Sequence, residues 1–154
     1  MTGTARRVAL GLFLAGFVVT LFAFASGGAS AAGMIPTGAA LDEPVAVDVA
    51  GVVFCKIKFG YGPYEPYERL HLIEQRVFDT LDDFQTKGQL GDLPGAVSVK
   101  PVGADIGVFL GDKLIVTVDV FHARLNNTTV DKLAEEWAAN LRQGLEKYVS
   151  IQTK

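Results

Sequence analysis

Hydrophobic residues follow three different patterns along this chain, and each pattern predicts a different kind of element. From Val8 to Ala25 no charged residue interrupts the apolar run. From Pro44 to Phe59 apolar and polar positions alternate, the period of a pleated strand. From Leu70, and again from Val130, apolar residues recur at steps of three and four, the period of an amphipathic helix.

The alternating stretch divides at Gly51. Val45, Val47 and Val49 fall on one side of a short strand. Val53, Cys55, Ile57 and Phe59, set against Phe54, Lys56 and Lys58, predict a half-buried antiparallel strand with a solvated lysine face. A loop rich in glycine, proline and tyrosine follows, from Gly60 to Tyr67. Pro66 suits the first turn of a helix, where its missing N–H costs little. That helix runs to about Lys87 with the stripe Leu70, Ile73, Val77, Leu81 and Phe84, and Gly88 stops it. Strands are expected at Ala96–Val102, Ile106–Leu110 and Lys113–Val118. Gly111-Asp112 joins the last two as a hairpin, with Phe109 opposite Leu114 and Val108 opposite Ile115. Apolar side chains on both faces predict a central position for this pair. Asn126 to Thr129 opens the final helix, with Thr128 as its cap and Asp131 in its first turn. Its stripe is Val130, Leu133, Ala134, Trp137, Ala138, Leu141, Leu145 and Tyr148. The predicted fold class is α+β: a two-layer sandwich in the order ββαβββα, mostly antiparallel, with two amphipathic helices packed on the sheet over residues 45–150.

The N-terminal run has two readings. Arg6 and Arg7 precede it, and Ala29-Ser30-Ala31 offers the small-x-small pattern of signal-peptidase cleavage after Ala31. Its length approaches the roughly 20 residues needed to span a bilayer, so an uncleaved anchor over Val8–Ala25 is the alternative. The basic residues stay on the cytoplasmic side in both readings. Residues 1–31 are thus a signal peptide or membrane anchor, and residues 32–44, rich in Gly, Ala and Pro, a linker. The domain behind them is expected to be periplasmic, or held at the outer side of the inner membrane.

Composition narrows the function. The 154-residue chain, less its N-terminal segment, suits one domain. A formal net charge of −3 offers no basic surface for nucleic acid. The single cysteine, Cys55, has no partner for an internal disulfide; it reads as a small buried hydrophobe, with an intermolecular disulfide or reactive thiol as the alternatives. No nucleophile turn, phosphate loop or dinucleotide fingerprint is present, and no cofactor is implied. The only histidines are His71 and His122. With Glu68, Glu74 or Asp119 they are weak candidates for a metal or acid–base site, should the fold bring them together. Asp79, Asp82 and Asp83 lack the spacing of a calcium loop. The most distinctive surface candidate is Tyr61, Tyr64 and Tyr67, three apart in a stretch stiffened by Pro63 and Pro66. Such tyrosines either bind a partner or close the edge of the core.

Several segments together carry a family resemblance: Phe54-Cys55-Lys56-Ile57, Tyr67-Glu68-Arg69, Ile73-Glu74-Gln75-Arg76-Val77, Ile106-Gly107-Val108, Leu114-Ile115-Val116-Thr117-Val118 and Leu133-Ala134-Glu135-Glu136-Trp137-Ala138. From Val45 to Leu145 the chain resembles the small extracytoplasmic domain that precedes the channel in many bacterial small-conductance mechanosensitive channel (MscS-like) proteins. His122-Ala123 stands where that family often has an acidic residue and alanine. No pore helix follows in this sequence, so the resemblance implies an accessory or sensory domain and not ion conduction. The leading expectation is a non-catalytic extracytoplasmic interaction module whose partner is a membrane protein or complex. The alternatives are a single-span structural subunit of a larger membrane complex and a small metal-binding protein or enzyme.

Overall fold

A computed structural model describes residues 36–154. The expected export segment and the first residues of the linker lie outside the described residues. Among the described residues no helix is long and apolar enough to cross a membrane.

Strand β1 (Val45–Val49) pairs antiparallel with β2 (Val52–Ile57). The intervening Ala50 and Gly51 both take positive φ, 52° and 76°, as the two-residue turns that match strand twist require. Helix α1 (Pro66–Thr86) follows, with proline in its first turn, and ends before Gly88. Two short 3-10 turns, Leu90–Asp92 and Pro94–Ala96, lead into β3 (Val97–Val102), β4 (Asp105–Leu110) and β5 (Lys113–Val118). A six-residue helix α2 (Val120–Leu125) comes next, then α3 (Val130–Gln152). The fold is α+β, with antiparallel pairing throughout the described strands.

Four details differ from the pattern read along the chain. First, the strands form two sheets, β1-β2 and β3-β4-β5, and not one. Helix α3 packs against strands of both, while α1 packs on β5 and β1. The outer edge of β5 is occupied by α1 itself: Arg69 Nη2 donates to Thr117 O at 2.6 Å and Arg76 Nη1 to Ile115 O at 3.4 Å. Two side chains about two helical turns apart therefore cover carbonyls that another strand would otherwise pair, a device that also blunts edge-to-edge association. The β4–β5 hairpin is accordingly not central: β4 is the middle strand and β5 an edge.

Second, β2 carries a bulge. Val47 faces Cys55 but Asp48 faces Val53, so Phe54 is the extra residue. The strict alternation fails there: Phe54 is buried beside Cys55, and Val53, expected inside, is 43% exposed. A similar irregularity in β5 sets Val108 opposite Val116 and not Ile115, while Phe109 does face Leu114. Third, the final helix is capped by Thr129, which accepts from the Lys132 N–H, and not by Thr128. Asn126 and Asn127 instead close α2, an element absent from the expected order. Fourth, the end of the linker is tied down. The Leu41 N–H donates to Lys58 O at 2.9 Å, Lys58 Nζ to Asp42 O at 3.0 Å, and the Thr37 hydroxyl to Gly62 O.

The core follows the predicted helical stripes. Leu70, Ile73 and Val77 of α1, and Leu133, Ala134, Trp137, Ala138, Leu141 and Leu145 of α3, are buried with Phe54, Ile57, Val108, Leu110 and Val116 of the strands. Gly144 lets α3 lie directly on β1: a Cβ there would stand 2.9 Å from Val49 O. Cys55 sits inside this core, and burial pushes its thiol up, away from the reactive thiolate.

Candidate functional site

Sequence proximity and chemistry separate in this domain. His71 and His122 do not converge: His71 is on the exposed side of α1, 3.5 Å from Glu74, whereas His122 on α2 is fully buried. Among the described residues no group of three His, Cys, Asp or Glu side chains is placed to hold a metal. The exposed histidine has only its helical neighbour Glu74, and the buried one belongs to a different cluster.

That cluster is Arg69, Asp119 and His122. Asp119 caps α2, accepting from the Phe121 and His122 N–H groups at 2.9 and 3.0 Å. The cap swings His122 back over the carboxylate, with Nδ1 at 2.8 Å from Oδ2. Arg69 closes the other side, donating from Nη1 to Asp119 Oδ2 at 2.9 Å and to Phe59 O at 3.0 Å. The far ring nitrogen of His122 meets the main chain: the Lys58 N–H donates to Nε2 at 3.1 Å. A backbone N–H can only donate, so Nε2 is the acceptor and Nδ1 carries the proton toward Asp119. Phe59 and Trp137 stand edge-on around the ring, at 5.2 and 5.9 Å between centroids.

The electrostatics follow from this geometry. Burial works to raise the Asp119 pKa, but the His122 hydrogen bond and the Arg69 guanidinium outweigh it and bring it down to about 2. Every buried side-chain nitrogen and oxygen among the described residues has a hydrogen-bond partner. An Asp–His pair of this kind orients the imidazole of many general bases. Here the nitrogen that would take a proton from substrate is hydrogen-bonded to Lys58 and fully buried. The cluster clamps the end of β2, the start of α1 and the β5–α2 junction together.

The tyrosine loop lies against the outer side of this clamp, and its three tyrosines divide. Tyr61 turns inward: its hydroxyl donates to Asp105 Oδ2 at 2.7 Å, and the Arg69 guanidinium lies over its ring at 5.2 Å. Burial and the Asp105 carboxylate push its phenol up to about 12. Tyr61 and Tyr64 exchange main-chain hydrogen bonds at 2.9 and 3.1 Å, closing the loop on itself. Gly60 is needed beneath it, since a Cβ there would fall against Thr37 O and Tyr64 O. Where the loop enters α1, the Glu65 N–H donates to Glu68 Oε2 at 2.9 Å. Tyr64 and Tyr67 point out, 40% and 62% exposed. Tyr67 also borders a shallow cleft formed with Leu41 and Pro66.

Arg69 enters the sequence pattern only within Tyr67-Glu68-Arg69, and its burial emerges from the structure. One signal was available: Arg69, Ile73, Arg76 and Thr80 share the three- and four-residue spacing of the buried stripe, so two arginines lie along an apolar face. Asp119, three residues before His122 and directly after β5, carries the signature of a helix cap, which would have located α2.

No curated protein and no solved structure matches the chain. A family model does, over residues 44–148, from the start of β1 to near the end of α3 and more than half of the chain. The chain therefore belongs to the family described as Domain of unknown function (DUF8459).

Proposed function

We propose that this domain is a non-catalytic extracytoplasmic binding module that engages a membrane protein or complex through its tyrosine loop. The observation that carries the reading is the division of labour among the three tyrosines. Tyr61 is spent on bracing, with its hydroxyl on Asp105 and its ring under Arg69, while Tyr64 and Tyr67 are left in solvent. Rigid aromatic side chains on a braced loop lose little conformational entropy when a partner covers them. The sealed state of His122 Nε2 supports the non-catalytic half of the reading. Placement outside the cytoplasm rests on Arg6, Arg7 and the Val8–Ala25 run, and on the resemblance to the extracytoplasmic domain of mechanosensitive channel proteins.

The test is site-specific photocrosslinking in native membranes. A photoreactive residue at position 67 should give a discrete adduct with a membrane protein. The same residue at exposed Gln143 on α3 should give none. Equal adducts from both positions, or none from position 67, would overturn the proposal.

A further inference from the structure

We propose that the cleft between the tyrosine loop and the outer edge of β5 binds a small molecule that joins a carboxylate to a compact apolar body. The cleft has a volume of about 170 Å³, with Tyr61, Tyr64, Leu72, Leu114 and Val116 among its walls and Arg76 at its side. Apolar cavities of about 150 Å³ accommodate a benzene ring, so one ring or a short branched chain fits the space.

The charge on the ligand follows from comparing the two arginines of α1. Both reach carbonyls on the outer edge of β5. Arg69 has its counter-ion inside the protein, since Asp119 lies 2.9 Å away. Arg76 has none: no described carboxylate comes within ion-pair distance of it. Its one hydrogen bond among the described residues, to Ile115 O, is 3.4 Å long, beyond the usual range for N–H···O. It is half-buried all the same, and burial lowers its pKa. A guanidinium that has given up water without gaining an anion is matched by a planar carboxylate, which accepts from it in bidentate fashion. The apolar walls disfavour a small, strongly hydrated anion. Tyr64 is common to this cleft and to the proposed partner surface, but the inference rests on Arg76 and the apolar walls, and its test uses the purified protein without a partner.

The test uses the purified, ¹⁵N-labelled protein titrated with phenylacetate, with its neutral analogue phenylacetamide and with inorganic phosphate, read by amide and arginine side-chain shifts. Phenylacetate should give saturable shifts at Tyr64, Arg76, Leu114 and Thr117. Phenylacetamide should bind at least about tenfold more weakly, the factor that corresponds to about 1.4 kcal/mol. Arg76→Gln should weaken phenylacetate by a similar factor and leave phenylacetamide unchanged. The comparison of the two ligands on the unsubstituted protein stands even where that variant folds poorly. Absence of saturable shifts with phenylacetate, equal binding of phenylacetamide, or equally strong binding of phosphate at these residues would overturn the proposal.

Discussion

Arg69 Nη1 lies 2.9 Å from Asp119 Oδ2, and both side chains are at least 95% removed from solvent. The two residues are fifty positions apart in the chain, so their pairing exists only when α1, β5 and α2 have assembled. Removing one partner leaves the other charge buried without compensation, which typically costs about 3–5 kcal/mol. Arg69→Met and Asp119→Asn are each expected to destabilise by that order in urea unfolding. Asp119→Asn keeps an acceptor for the α2 cap, and its loss reports the charge together with the Oδ2 acceptor that Arg69 and His122 share. The double variant should lose at least about 1 kcal/mol less than the sum of the two. Simple additivity would show that the pair is not coupled.

Asp119 also sets an acid limit. Its carboxyl ordinarily titrates near 3.8 and is brought down to about 2 in the folded protein. A depressed folded pKa means the unfolded chain binds the proton more readily. The resulting stability is therefore fully present above about pH 4 and is lost as the pH falls toward 2. Its size is roughly 2 kcal/mol. Carboxyl ¹³C shifts should place the Asp119 midpoint near 2, and unfolding free energies measured at pH 5 and pH 2.5 should differ less for Asp119→Asn than for the unsubstituted protein. An Asp119 midpoint near 4 would contradict the network described above.

Gly144 reverses the usual expectation for a helix. Glycine to alanine in a helix interior normally stabilises by about 1 kcal/mol. Here the new Cβ would stand 2.9 Å from Val49 O and 3.0 Å from Val49 Cβ, both parts of a packed strand with little freedom to retreat. Gly144→Ala should therefore lower stability by about 1–2 kcal/mol, the cost of overpacking less the gain in propensity. Thermal unfolding followed by circular dichroism measures the sign directly; an increase in Tm would mean that α3 and β1 can separate cheaply.

The β1–β2 turn offers the opposite case. Ala50 holds φ at 52°, a region that costs an L-residue with a Cβ roughly 1–2 kcal/mol. It precedes Gly51, so Ala50→Asn creates the Asn-Gly pair favoured in such turns. The side chain borders an open cleft and has room. The variant should gain about 1 kcal/mol and raise Tm by roughly 4 °C. No gain, or a loss, would indicate that the turn relaxes to another geometry.

Legibility varied with the range of the interaction involved. The two long helices and their buried stripes were readable because Leu70, Ile73 and Val77, and Leu133, Trp137 and Leu141, report their face through spacing alone. The β4–β5 hairpin was readable through Gly111-Asp112 for the same local reason. The bulge at Phe54 was not, because it is defined by pairing with β1 and leaves no mark on β2 taken alone. Alternation from Val53 to Phe59 was thus one position out of phase at its start. Tyr61, Tyr64 and Tyr67 looked equivalent by spacing, and only Asp105 and Arg69, distant in sequence, separate the bracing tyrosine from the exposed pair.

The sequence by itself determined the α+β class, the long helices with the stripes they bury, and the places where strands turn back. Those depend on periodicity and turn chemistry, which act within a few residues. Only the tertiary structure decided that the strands split into two sheets, that Arg69 and Arg76 cover the edge of β5, and that His122 is sealed against Lys58 and Asp119 instead of meeting His71. A side chain's role there is set by which partner satisfies its charge or hydrogen bond after burial. That partner comes from another part of the chain, through packing that no local pattern records.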